Sequence, residues 1–475
     1  MAELAPDAEI GLMPAAQLAA MIAAKKISPV EATAAIIARV ERLDPELNAF
    51  VKLDAEGAMA AARQAEAAVM RGDELGPLHG LTVTIKDVTA AKGLPLERGS
   101  LAHKGEIAAA DAPVTARMRD AGAIVLGKTT TSEFGWTAVS RSPASGITHN
   151  PWKKGMNAGA SSAGAAAAAG AGFGALHQGS DGAGSVRLPG HFSGIVGFKP
   201  GFGRVPYAPP GNNDYMSHIG PDCRTVADAA LMFHVMAGHH HLDFTTLDGV
   251  LDARPEKLVA SVKGLRVAYS PDLGLARVDP EVAELVAAAA RKFEELGAIV
   301  QEVPTPWAAP GPEIVRGMWS AHMGAYVHLL PEWADKMDPG LVACITSALD
   351  MKATDYVALR GRKHLYSMAC NAWFEDWDLL LTPAASVAAF PVERLAPEHW
   401  PEPEWDWLSW AEFSHPFNMA QNPAISVPCG LTPSGLPVGL QIVGRRTDDL
   451  GVLRAAMAFE AAGPWLPGPA PAAHG

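Results

Sequence analysis

Cysteine is scarce in this chain, and the little there is stands apart. Cys223, Cys344, Cys370 and Cys429 form no C-x-x-C pair. Neither a disulfide framework nor a cysteine-held zinc site is therefore expected, and a reducing compartment is the default. Long apolar runs are missing too. None approaches the roughly 18–20 residues that a bilayer-spanning helix needs, and the opening MAELAPDAEIGLMPAAQ lacks the basic-then-apolar order of a secretory leader. Positive charge is short: 38 Lys and Arg face 51 Asp and Glu, a net charge of −13. With no basic run either, a nucleic-acid or acidic-membrane partner is excluded. A soluble cytoplasmic globular protein is what these absences leave.

What is present is a long alternation of helical and strand patterns. Ser28, Pro29 and Glu31 form a capping box with proline at the first helical position, followed by the stripe Ile36, Ile37 and Val40. An Ala-rich helix over 54–70 follows, so residues 1–70 read as a helical lead-in. In LTVTIKDV (81–88) the period changes to two, and Lys86 falls on the polar face of a strand. An amphipathic helix at 114–121, AIVLG (123–127), LRVAYS (265–270), a helix at 280–296, AIVQEV (298–303) and DLLLTPA (378–384) continue the pattern. The pattern predicts a single α/β domain over 1–475, built on a mixed, largely parallel sheet covered by helices. Residues 304–335 and 386–412 are rich in Pro and Trp and read as irregular insertions.

Three tempting motifs fail on physical grounds. GAIVLGKT (122–129) matches a phosphate-binding loop string, but Ala123–Leu126 are themselves the strand, and a paired strand cannot turn its N–H groups toward phosphate. Three consecutive histidines in AGHHHLDF (237–244) cannot converge on one ion from a turn, so no metal is assigned. ASSAG (160–164) approaches a nucleophile elbow without the strand that must precede it.

Two Ser/Gly segments remain, GASSAGAAAAAGAG (159–172) and GSDGAGSVR (179–187). The first reads as an Ala helix capped by Ser161 or Ser162. That reading leaves the second segment and Lys86 unexplained. Lys86, Ser161 and Ser185 together supply what acyl transfer needs. A serine is a poor nucleophile without a base, and a lysine serves once burial brings its pKa from about 10.4 toward 7–8. A second serine can relay the proton, and a Gly-rich loop before Ser185 offers backbone N–H groups to an oxyanion.

These segments resemble the amidase signature family. Its nucleophile pattern, G-[ST]-D-x-G-G-S-[IV]-R-x-P, is matched by GSDGAGSVRLP (179–189), and its G-G-S-S-G-G by GASSAG (159–164). TIKD (84–87), GAIVLGKTTTSEFG (122–135), GFKPGFGRVP (197–206) and NPAISVPCG with GLPVGLQIVG (422–444) match further blocks, so the resemblance runs from about 30 to 460. It implies Ser185 as nucleophile, Ser161 as relay after a cis bond to Ala160, and Lys86 as base. It also implies an oxyanion hole from Gly182, Ala183, Gly184 and Ser185, with Asp181, Arg187 and Ser162 as supports, and neither cofactor nor metal. A homodimer is open. Ala160, Ala163 and Ala183 replace family glycines. If position 183 needs a positive φ, its Cβ costs about 1 kcal/mol.

The resemblance implies hydrolysis of an acyl C–N bond in an amide, aryl amide, oligoamide or carbamate. Nine tryptophans, at 307, 319, 333, 373, 377, 400, 405, 407 and 410, crowd the variable region. They read either as core packing or as an apolar, aromatic-tolerant cavity with 401–413 as its lid. The alternatives are a glutamine-hydrolysing subunit of a tRNA-dependent amidotransferase and a non-catalytic binding protein on the same fold.

Overall fold

The computed structural model describes residues 6–209, 211, 214–249 and 251–463. Its strands are β1 (Phe50–Leu53), β2 (Thr82–Lys86), β3 (Ile124–Thr129), β4 (Arg141–Ser142), β5 (Gly146–Ile147), β6 (Leu176–Asp181), β7 (Val196–Lys199), β8 (His218–Cys223), β9 (Arg266–Tyr269), β10 (Ile299–Glu302), β11 (Leu379–Pro383), β12 (Ala424–Leu431) and β13 (Pro437–Gly444). Eleven of them form one sheet in the order β1-β3-β2-β6-β8-β7-β12-β13-β11-β9-β10, and β4 and β5 pair separately. The sheet is mixed, as the sequence implies. The proportion differs from expectation: four neighbouring pairs are parallel and six antiparallel. Helix–strand alternation does not fix strand direction, and the middle of this sheet is built by antiparallel returns.

Side chains alternate across the sheet and divide the core. Leu379 and Leu381 enter one apolar cluster and Leu380 the other. The lead-in is locked by chemistry legible in sequence. Ser28 Oγ accepts from the Glu31 N–H at 3.0 Å and Glu31 returns the bond at 2.8 Å, opening the helix Pro29–Leu47. From that helix the buried Arg39 donates twice to the Ala171 carbonyl, docking the lead-in onto the core.

Two expectations about the variable region change. Residues 304–335 are largely helical, with Gly311–Gly324 as the main element. Ile314, Val315, Met318, Trp319, His322 and Met323 form its buried face, a helical period that the flanking prolines obscure. All nine tryptophans pack in or against one apolar cluster. Trp407 and Trp410 are fully buried, and their indole N–H groups donate to the Trp136 and Leu395 carbonyls. The expected lid is corrected: residues 407–413 are almost all buried in this cluster, Pro401, Glu402 and Glu404 are exposed, and none of 401–413 lines the cavity that Ser161 and Ser185 line.

Candidate active site

Because β2 and β6 run parallel, their C-terminal ends meet at one edge, where chains leaving a parallel pair diverge and open a crevice. Lys86 is the last residue of β2 and Asp181 the last of β6. The helix Ala163–Ala171, nine small residues all buried, lies across β2, β6 and β8. Its start brings Ser161 and Ser162 to the same edge. The Ala160–Ser161 peptide bond is cis.

Lys86 is fully buried. Its Nζ donates to Ser161 Oγ at 2.7 Å, to Ser162 Oγ at 3.0 Å and to Ser180 Oγ at 3.1 Å. Burial lowers its pKa to about 7, against the opposing pull of Asp222 and Asp181. A neutral amine is thus present near neutrality, next to a hydroxyl. Ser161 and Ser185, each 3% exposed, line the same cavity of about 350 Å³.

Ser162 occupies the N-cap position, yet its side chain makes no capping bond. Its hydroxyl instead accepts from Lys86 and the Ser180 N–H and donates to the Ser180 carbonyl. Ser162 ties the start of its helix to the end of β6, and the capping expectation for it is corrected.

Asp181 organises that loop. Its carboxylate accepts from the Gly184 N–H at 2.7 Å and the Val186 N–H at 3.2 Å, and is gripped by Arg187 through Nε at 3.0 Å and Nη2 at 2.9 Å. Burial works to raise its pKa, but the Arg187 charge and hydrogen bonds, with Lys199 and Asn418, hold it well below the usual range. Arg187 is fixed in turn by the Ser414 carbonyl, Gln441 and Asn418. These anchors lie more than 220 residues away and carry no local sequence signal.

The loop corrects two expectations. The Gly184 N–H is spent on Asp181, so it does not face the cavity as an oxyanion donor. No acceptor among the described residues takes the N–H groups of Gly182, Ala183 or Ser185. The positive φ falls on Gly184 (φ 124), where a Cβ would meet Ser414 at 2.6 Å, and not on Ala183. The replacement at 183 is therefore unstrained. Gly135 was not singled out from sequence. It has a φ of 72 and places Ser161 Oγ 3.1 Å from where its Cβ would sit. The phosphate-loop string lies in β3, with Lys128 Nζ donating to the Thr89 carbonyl at 2.5 Å.

Part of the cavity lining is aromatic and apolar. Phe134 and Tyr326 stack at 4.2 Å, with Trp319, Met323 and Ile219 beside them. Trp319 is the one member of the tryptophan group that reaches it. Arg98 stands in the lining, its Nη1 held by Glu106 and His103.

A mixed sheet with a buried lysine and paired serines gathered at one crevice is the arrangement that the resemblance to the amidase signature family implies. Residues 31–453 match the family model described as Amidase, and the chain belongs to that family. It is an amide-hydrolysing enzyme. An acylamidase of Rhodococcus erythropolis is 40% identical over 461 residues, covering 95% of both chains. A glutamyl-tRNA(Gln) amidotransferase component from Moorella thermoacetica is 34% identical, covering 95% of this chain and 97% of its own. Among solved structures, a bacterial aryl acylamidase of the amidase signature family superposes with a TM-score of 0.89 at 28% identity, covering 96% of this chain and 97% of that one. No helix among the described residues is long and apolar enough to cross a membrane.

Proposed function

We propose that this amidase cleaves an acyl C–N bond of an apolar or aromatic amide or carbamate through an acyl-Ser185 intermediate. The observation that carries the reading is Lys86, with a pKa of about 7, 2.7 Å from Ser161 in a cavity that Ser185 also lines. Ser185 Oγ attacks the carbonyl carbon. Its proton passes to Ser161 as the Ser161 proton passes to Lys86 Nζ. The N–H groups of Gly182, Ala183 and Ser185 receive the oxyanion. Collapse breaks the C–N bond, and the Lys86 ammonium returns its proton through Ser161 to the leaving nitrogen. Water then attacks the acyl ester with the same base and frees Ser185. The scheme uses only side chains, backbone and water.

The Phe134–Tyr326 stack favours an aryl or extended apolar group over the polar side chain of glutamine. Similarity to an acylamidase and an aryl acylamidase supports the same class. Treatment with a fluorophosphonate followed by peptide mapping tests the scheme. One adduct is expected on the 179–187 peptide. It should be absent in Ser185→Ala and slowed about 10²–10⁴-fold in Lys86→Ala and Ser161→Ala, the range of general-base catalysis. An adduct that persists in Ser185→Ala overturns the assignment. So does no adduct at all, under conditions that label a control hydrolase.

A further inference from the structure

Asp222 is a buried acid that the scheme above does not use. It lies in β8 opposite His177 of β6. The parallel register of β2 and β6 pairs Thr84 with His177 and Ile85 with Gln178, so one further step sets Lys86 beside Gly179. Lys86, Gly179 and Asp222 thus share the face covered by the Ala163–Ala171 helix. Lys86 and Asp222 stand two strands and two residues of register apart, about 11–12 Å between backbones. The side chain that would separate them is missing. A Cβ on Gly179 would fall 2.4 Å from Asp222 Oδ2 and 2.9 Å from Ser162 Oγ, the hydroxyl that Lys86 Nζ bonds. Both oxygens of Asp222 are buried, and no side chain or backbone group among the described residues bonds them.

We propose that Asp222 is a positioning residue for Lys86, setting the proton affinity of the amine across the gap above Gly179; this rests on Lys86 being the base.

The surroundings leave Lys86 as the group for Asp222 to act on. His177 is held neutral, its pKa lowered to about 4 by burial, with its ring nitrogens on Thr84 Oγ1 and the Gly174 carbonyl. Asp181 is committed to Arg187. From β7, Lys199 turns its amine to the Asn422 and Pro200 carbonyls. On β8 itself, His218 bonds the Asp181 carbonyl. The covering helix carries only Ala and Gly. Burial pushes Asp222 well above the usual carboxyl range while Lys86 pulls it down, so the two groups titrate as a pair.

A carboxylate charge across such a gap favours the ammonium form. Removing it leaves Lys86 neutral to lower pH and makes it a weaker base. The test is the pH dependence of fluorophosphonate labelling of Ser185, which needs no knowledge of the natural substrate. In the wild type the rate is expected to fall as pH drops through about 7. In Asp222→Asn that limb is expected to move toward acid by about one unit or more, as for a lost charge at an intermediate dielectric, with a lower plateau. Asp222→Ser serves as the second variant should the amide fail to fold, and thermal unfolding checks both. An unmoved limb in the folded variants, with labelling still dependent on Lys86, overturns the role of Asp222 and leaves the catalytic scheme standing. Lys86→Ala labelling as fast as wild type, with the same profile, overturns the scheme itself and this inference with it.

Discussion

Lys86 and Arg187 are both fully buried cations, and the protein treats them oppositely. Lys86 meets hydroxyls, and burial makes it a base near neutrality. Arg187 meets a carboxylate in a two-point grip, which keeps both charges and fixes the loop. Because the folded pKa of Asp181 is depressed, the stability it contributes is complete above its unfolded value of about 3.9 and is lost as pH falls through the folded value. Arg187→Leu leaves that carboxylate buried and unpaired, with an expected cost of about 3–5 kcal/mol at neutral pH. Thermal unfolding at pH 7 and at pH 4 checks the sign: the gap between variant and wild type should narrow in acid, where the variant can protonate Asp181. A constant gap would mean that Arg187 acts by packing alone.

At the scale of elements, the aromatic residues separate into two tasks that composition does not distinguish. Trp407 joins the core beside Trp319 and Trp410, while Tyr326 faces the cavity against Phe134. Trp407→Ala is expected to cost about 3–5 kcal/mol, visible as a lowered Tm, with KM for an aryl amide little changed. Tyr326→Ala should do the reverse, raising that KM roughly three- to tenfold, the worth of one aromatic contact, with little change in Tm. Michaelis kinetics beside thermal melts distinguish them. A KM effect at Trp407 would return the 401–413 segment to the substrate path. The helix Gly311–Gly324 supplies both tasks, since Trp319 belongs to the core cluster and also reaches the cavity.

For the whole molecule, Lys86, Ser161, Ser185 and the Phe134–Tyr326 stack are all supplied by one chain. The purified chain is therefore expected to hydrolyse aryl amides unaided and to show no glutaminase activity. Glutamine hydrolysis that appears only with added partner chains would favour the amidotransferase reading. By itself the sequence determined the residues whose chemistry is local: the Ser28–Glu31 capping box, the strand carrying Lys86, and the two Ser/Gly segments holding Ser161, Ser162 and Ser185. Short-range spacing sets those features, so they survive without knowledge of neighbours. Tertiary structure alone decided strand direction, the commitment of the Gly184 N–H to Asp181, the burial of the tryptophans, and the placing of Lys86 and Asp222 on one face of the sheet. Each depends on which distant segments pack together, as Arg187 depends on Asn418 and Gln441. Packing is a property of the closed sheet and is not written in any one stretch of chain.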